Sequence, residues 1–342
     1  MAENIYEVFF SLNILLIVVN NFCIVNAQIT YNGYNLALTT VPENIPANTQ
    51  TLVLSVNQLT TIPAGSLSNL TQLTFLRLDN NKLTTFPDIQ SVSSTLVTLH
   101  LQYNQITYID PLFLNALVKI VTLHLFWNTG LGSFPDVSGP GNSLSVLLLG
   151  VCGIGNFPGM TSMRNLTKLQ LTGNTIAEIK ANSLIGLDSL QILELNKLLL
   201  TEVPDLREVT DTLVELNLDG IVSIQEVEQS RFAQLRNLLR LKVPNMLITK
   251  IPTLCPRVLN TLVITATGSP LHLCSCENVW LKQAVEKGGA TVIANNVTCG
   301  ATLWAAMTTA QLLAICQPLV VPGMYVWLHA QVPAYNLMSQ FK

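Results

Sequence analysis

Three groups of residues in this 342-residue chain have types and spacings that could do chemistry. Cys274-Ser275-Cys276, with Cys299 and Cys316 further on, offers four thiols for a metal cage or for two disulfides. Four-cysteine zinc sites are built from paired C-x₂-C knuckles. The Cys-x-Cys spacing with distant partners lacks them, so the spacing favours disulfides without fixing the pairing. His100 and His124 fall at the same phase of a recurring pattern and could ligate a metal together, but no carboxylate shares their row. A polar surface is the competing reading. Asn69-Leu-Thr71, Asn165-Leu-Thr167 and Asn296-Val-Thr298 are sequons for N-glycosylation. Signals for catalysis are missing: there is no nucleophile elbow, metalloprotease helix, Walker loop or dinucleotide fingerprint, and acids are scattered singly. Gly150-Val-Cys-Gly153-Ile-Gly155 imitates a glycine loop, but its phase puts it in a turn. The chain reads as a non-enzyme that needs no cofactor and no metal.

Composition narrows the partners. Charged residues make up 11%, against roughly 25% in an average soluble protein. The apolar share is 49% but only 6% is aromatic, so the apolar mass is aliphatic. Net charge is −3 and there is no basic stripe, which argues against nucleic acid. Residues 8–19, VFFSLNILLIVV, are too short for a comfortable membrane span. Val25 and Ala27 stand at the −3 and −1 positions of a cut before Gln28, so residues 1–27 read as a secretory leader, although its first residues carry Glu3 and Glu7 and no base. An uncleaved anchor is the alternative. No later stretch reads as a membrane span, because Pro322 and Pro333 break the apolar tail 318–342.

The elements that position these residues repeat. With leucines at positions 1, 4 and 6, Asn at 9 and an aliphatic at 11, starts fall at 49, 73, 96, 120, 144, 166, 190, 213, 238 and 261. Leu73, Leu76, Leu78, Asn81 and Leu83 fill one copy; Leu166, Leu169, Leu171, Asn174 and Ile176 fill another. Side chains alternate along a strand, so positions 4 and 6 point to one interior that no single repeat can fill. Asn57, Asn81, Asn104, Asn128 and Asn174 then turn inward, where a buried amide must be bonded. Cys152 takes that slot in repeat five, and Leu198, Ile221, Met246 and Ser269 take it in repeats seven to ten, where a less regular turn or an apolar filling is expected. Repeat eight carries a helical-looking EVEQSRFAQL for the convex side. Repeats that end in an aliphatic or Phe followed by Pro, such as Phe86-Pro87, should leave the strand through extended turns.

LxxLxLxxNxL at this period resembles the extracellular leucine-rich repeat proteins, over residues 38–316. The resemblance implies a leucine-rich repeat solenoid of the α/β type. It has a curved parallel sheet on the concave face and a mostly irregular or short-helical convex side. Ten repeats span 49–272. Residues 273–317 resemble the family's cysteine-rich C-terminal flank, which implies Cys274–Cys299 and Cys276–Cys316 disulfides, with Trp280 packed under a short helix at 277–287. At the other end the family's cysteine cluster is missing. Residues 28–48 are expected to form a cysteine-free cap with a type I′ hairpin at Asn32-Gly33, paired with the first repeat strand. Cys255 is either a free thiol or a link between chains.

Positions 3, 5, 7 and 8 face the concave side. In repeats two to four they place Phe75, Arg77, Asp79, His100, Gln102, Tyr103, His124, Phe126 and Trp127 together. Aromatics and Arg dominate interface hot spots, so these nine are the candidate partner site, against the plain reading that the rings only cover aliphatic neighbours. Lys168, Glu194, Lys197, Glu215, Asp219, Arg240 and Lys242 form a second, charged region of mixed sign. The expected role is a secreted glycoprotein that binds an extracellular protein or glycan through the concave face, with self-association as a further use of its apolar positions. A structural part in an extracellular matrix or biomineral assembly is the alternative.

Overall fold

The computed structural model describes residues 12–19, 22–232, 235–250, 262–269, 273, 278–288, 290–293, 298–299 and 302–316. Each repeat contributes one short strand. These are β3 (Thr51–Val53), β4 (Phe75–Arg77), β5 (Thr98–His100), β6 (Thr122–His124), β7 (Val146–Leu148), β8 (Lys168–Gln170), β9 (Ile192–Glu194), β10 (Glu215–Asn217), β11 (Arg240–Lys242) and β12 (Leu262–Thr265). They pair in parallel without a shift: Leu52 lies beside Leu76, then Leu99, Leu123, Leu147 and Leu169. β2 (Phe22–Asn32) precedes β3 in the same parallel sheet and β13 (Ala290–Ile293) follows β12, while β1 (Leu12–Val19) lies antiparallel to β2 at the edge. The result is a leucine-rich repeat solenoid with few helices.

Its core is one continuous column. Leucines at positions 4 and 6 of repeats one to eight are fully buried, and the cluster runs from Tyr31 to Leu312. Each buried leucine contributes roughly 1.5–3 kcal/mol, but only because the adjoining coils close over it.

The Asn ladder joins coil to coil. Asn81 Oδ1 accepts the Leu59 N–H at 3.0 Å, and its Nδ2 donates to the carbonyls of Leu54 and Leu78 at 2.9 and 3.0 Å. Asn104 and Asn128 repeat this pattern one coil on each time. In repeat five the Cys152 thiol donates to the Leu125 carbonyl at 3.3 Å. Leu198, Ile221 and Met246 fill the slot with apolar volume in repeats seven to nine. Ser269 restores both roles in repeat ten, accepting from the Met246 N–H and donating to the Val243 carbonyl.

The ends differ from expectation. Asn32-Gly33 is not a hairpin turn: β2 runs through Asn32 in parallel with β3, and neither residue has the positive φ of a type I′ turn. Glycine serves close approach there, since a Cβ at Gly33 would lie 2.9 Å from Leu54 Cδ2. Asn57 holds the following segment, accepting from the Leu36 and Leu38 N–H groups and donating to the Gly33 carbonyl. Residues 12–19, inside the expected leader, form β1, with Leu12 opposite Ile29. Of the helix expected in repeat eight, the described residues hold α2 (Gln229–Phe232); α1 (Pro111–Asn115) lies earlier, in repeat three. At the C-terminal end lie α3 (Val279–Glu286) and α4 (Thr309–Cys316). Trp280 lies within α3 and is half-buried, packed against the core. Lys282 is buried there, its Nζ donating to the carbonyls of Trp304 and Ala305 at 3.1 Å each and lying 4.8 Å from the Trp304 ring centre. Cys299 is buried and disulfide-bonded. Cys255, Cys274, Cys276, Asn296 and the tail 318–342 lie outside the described residues.

Two substitutions test the ladder and the bend that follows each strand. Asn128→Ala strands the Ile106 N–H and two carbonyls in the interior and should cost about 3 kcal/mol in urea unfolding, with Asn128→Cys costing less because a thiol serves this slot in repeat five. Gly220 has φ 69°, so Gly220→Ala should destabilise by about 1 kcal/mol.

Candidate functional site

The side chains of the candidate site ride on β4, β5, β6 and the bends behind them. Position 8 lies three residues past the last residue of each strand, and all ten residues there have positive φ: Val56, Asn80, Tyr103, Trp127, Val151, Gly173, Lys197, Gly220, Asn245 and Gly268. The repeat imposes this bend, since the position-8 N–H donates to the position-7 carbonyl of the next coil, as Tyr103 does to Phe126 and Trp127 to Gly150.

The structure brings the nine candidates together in two layers. Tyr103 and Trp127 stand outermost, 44% and 47% exposed. Their rings stack with centres 5.9 Å apart and planes 20° off parallel, and Phe126 meets Tyr103 edge-on at 5.0 Å. Beside them His100 and His124 stack at 4.2 Å and 13°, with Phe75 edge-on to His100 at 5.2 Å. Phe75, Arg77, His100, His124 and Phe126 are half-buried, and Asp79 and Gln102 are buried.

The electrostatics of this region are closed on themselves. Asp79 accepts from Ser55 Oγ at 2.6 Å, Arg77 Nε at 3.1 Å and Asn80 Nδ2 at 3.0 Å. Burial pushes its carboxyl up, but these donors outweigh burial and hold it below the usual range. Burial, then the neighbouring His124 and Arg77, push His100 down to about 4. Burial, then Lys168, push His124 down as well. Both imidazoles are therefore neutral at pH 7. Face-to-face stacking sets their in-plane nitrogen lone pairs side by side instead of converging on one ion, which suits a packed surface better than a chelate. His100 Nδ1 and Gln102 Oε1 are buried without a hydrogen-bond partner.

Five of the seven residues of the charged region are likewise paired with one another. Lys168 Nζ lies 2.7 Å from Glu194, which also accepts from Gln170. Glu215 receives Arg240 and Lys242 from the next strand, and these bonds outweigh burial to hold its carboxyl low. Asn245 donates to Asp219. Asn69 and Asn165 are exposed, and Asn165 Nδ2 donates to the Asn142 carbonyl at 2.6 Å.

Sequence reasoning overlooked one feature: Leu199, Val222 and Leu247, at position 10 of repeats seven to nine, form a row 56%, 58% and 48% exposed. Its signal was the change from Gln58, Lys82, Gln105 and Thr129 at the same position in repeats one to four. The depressed imidazoles give a pH dependence. An unfolded imidazole titrates near 6.5 and folded His100 near 4, so stability is complete above the first value and falls as pH drops towards the second. An NMR titration should place the His100 midpoint near 4; a midpoint near 6.5 would mean the stack is open to water.

Comparison with known proteins agrees with this geometry. Residues 50–91 match the family model described as Leucine Rich repeats (2 copies). The chain is 31% identical over 170 residues to human Leucine-rich repeats and immunoglobulin-like domains protein 1, covering 47% of this chain and 15% of that protein. It is 27% identical over 266 residues to osteomodulin of Bos taurus, covering 69% and 61%. The chain thus spans less than two thirds of either relative. Among solved structures, a chain of the octameric complex of Latrophilin 3, Unc5D and FLRT2 (LRR) superposes with a TM-score of 0.58 at 22% identity, covering 82% of this chain and 94% of that one. Repeat pattern, stacked parallel coils and these likenesses together give the chain a leucine-rich repeat solenoid similar to that of these proteins.

Proposed function

We propose that the chain is a secreted glycoprotein that binds a macromolecular partner, an extracellular protein or glycan, through the concave side of repeats two to four. The observation that carries this reading is the exposed Tyr103–Trp127 stack, backed by Phe126 and the two imidazoles. The chain is only 6% aromatic, and several of its rings converge there. Large amphipathic rings supply contact area at low conformational cost. Similarity to extracellular proteins supports secretion, and so does the leader-like start of the sequence. Sugar at Asn69 and Asn165, exposed on the turns that lead into the strands, would leave the concave side open.

A second reading has its own observation. The aliphatic row Leu199, Val222 and Leu247, in a chain of so little charge, suits a structural component of a matrix or mineral assembly.

Affinity capture from extracellular fluid with wild type and with the Tyr103→Ala, Trp127→Ala double variant tests the first reading: the variant should lose the partners that wild type retains, and equal recovery would overturn it. Sedimentation separates the second. If the row drives assembly, wild type should form concentration-dependent oligomers that Leu199→Gln, Val222→Gln, Leu247→Gln dissolves; a monomer at all concentrations would count against it.

A further inference from the structure

The bend column raises a question that packing alone does not answer. Every coil puts its position-8 residue in the left-handed region, where Gly carries no steric penalty and Asn a small one, while bulky side chains are rare. Asn80, Gly173, Gly220, Asn245 and Gly268 follow that preference. Val56, Val151 and Lys197 depart from it, and repeats three and four hold the two bulkiest residues of the column, Tyr103 and Trp127, with φ of 57° and 60° and nearly half their surface in water. Strained backbone that carries exposed side chains is typical of functional positions. The scaffold would accept Asn at either place, as repeats two and nine show.

The surroundings say what these rings could meet. At positions 3, 5, 7 and 8 of repeats three to five there is no Asp, Glu, Lys or Arg. On one border Arg77 is engaged with Asp79, and on the other Lys168 is engaged with Glu194. A stretch three coils wide, on the order of 14 Å at the usual strand spacing, therefore presents no unpaired charge. Such a surface complements an uncharged one, because a charged partner would give up its hydration without gaining an opposite charge.

Resting on the reading of the concave side as a binding surface, we infer that Tyr103 and Trp127 are its specificity-determining contacts, and that they receive a segment of a partner polypeptide whose contacting side chains are apolar or aromatic and uncharged.

The test uses the full chain and a phage-displayed library of linear peptides. Wild type should enrich peptides with uncharged apolar and aromatic consensus positions. Their affinity should change less than about twofold between about 0.05 and 0.5 M sodium chloride. The Tyr103→Asn, Trp127→Asn variant should weaken them at least about tenfold; Asn keeps the bend, and an unchanged far-UV circular dichroism spectrum verifies the coil stack. Failure to enrich any peptide overturns the inference, as does enrichment of acidic or basic peptides released by salt, or equal binding to the variant. Retention of cellohexaose by wild type but not by the variant, with no peptide bound, would assign the rings to a neutral sugar and also overturn it. None of these results decides the broader reading, which stands or falls on capture from extracellular fluid.

Discussion

Each coil of this molecule is closed by atoms that belong to its neighbour. The position-9 amide accepts a backbone N–H from the preceding coil and donates to carbonyls of both coils, as Asn81 does with Leu59, Leu54 and Leu78. A single coil would leave those groups unpaired in an apolar interior. From this dependence follow the unshifted register of the sheet, the common bend at position 8 and the alignment of equivalent side chains into columns. The candidate surface is made of those columns. Its rings touch because the coils beneath them are locked in step.

The lock changes character along the chain. Through repeat six it is polar, with one thiol standing in for an amide. In repeats seven to nine Leu198, Ile221 and Met246 replace bonded amides by buried volume, while ion pairs between neighbouring strands, Glu215 with Arg240 and Lys242, appear on the concave side. The same repeats expose aliphatics at position 10. Polar bonding has moved from inside the turn to the sheet surface, and apolar surface has moved outward.

Much of this was legible in the sequence because it depends on period. Leucines at positions 4 and 6 fix the strands, and Asn57 to Asn174 announce the ladder. Alternation accounts for the candidate residues at positions 3, 5 and 7 but not for Tyr103 and Trp127 at position 8, and the structure gathers all nine. What alternation cannot give is depth: His100, Gln102 and Asp79 were expected on the surface, yet equivalent residues on adjacent strands cover one another and sink them. The left-handed bend was half-hidden, because Val56, Tyr103, Trp127, Val151 and Lys197 disguise a position whose Asn and Gly members mark it. Asn32-Gly33 misled for a similar reason. Its glycine is needed for contact with Leu54, which a dipeptide signal cannot distinguish from a turn.

The bend column joins every coil to the next through its backbone amide, whereas its side chains point away from the packed leucines. Main chain and side chain thus answer to separate demands at a single residue. A gene copy could exchange the letters of that column one by one and acquire a new recognition profile, with the scaffold inherited intact.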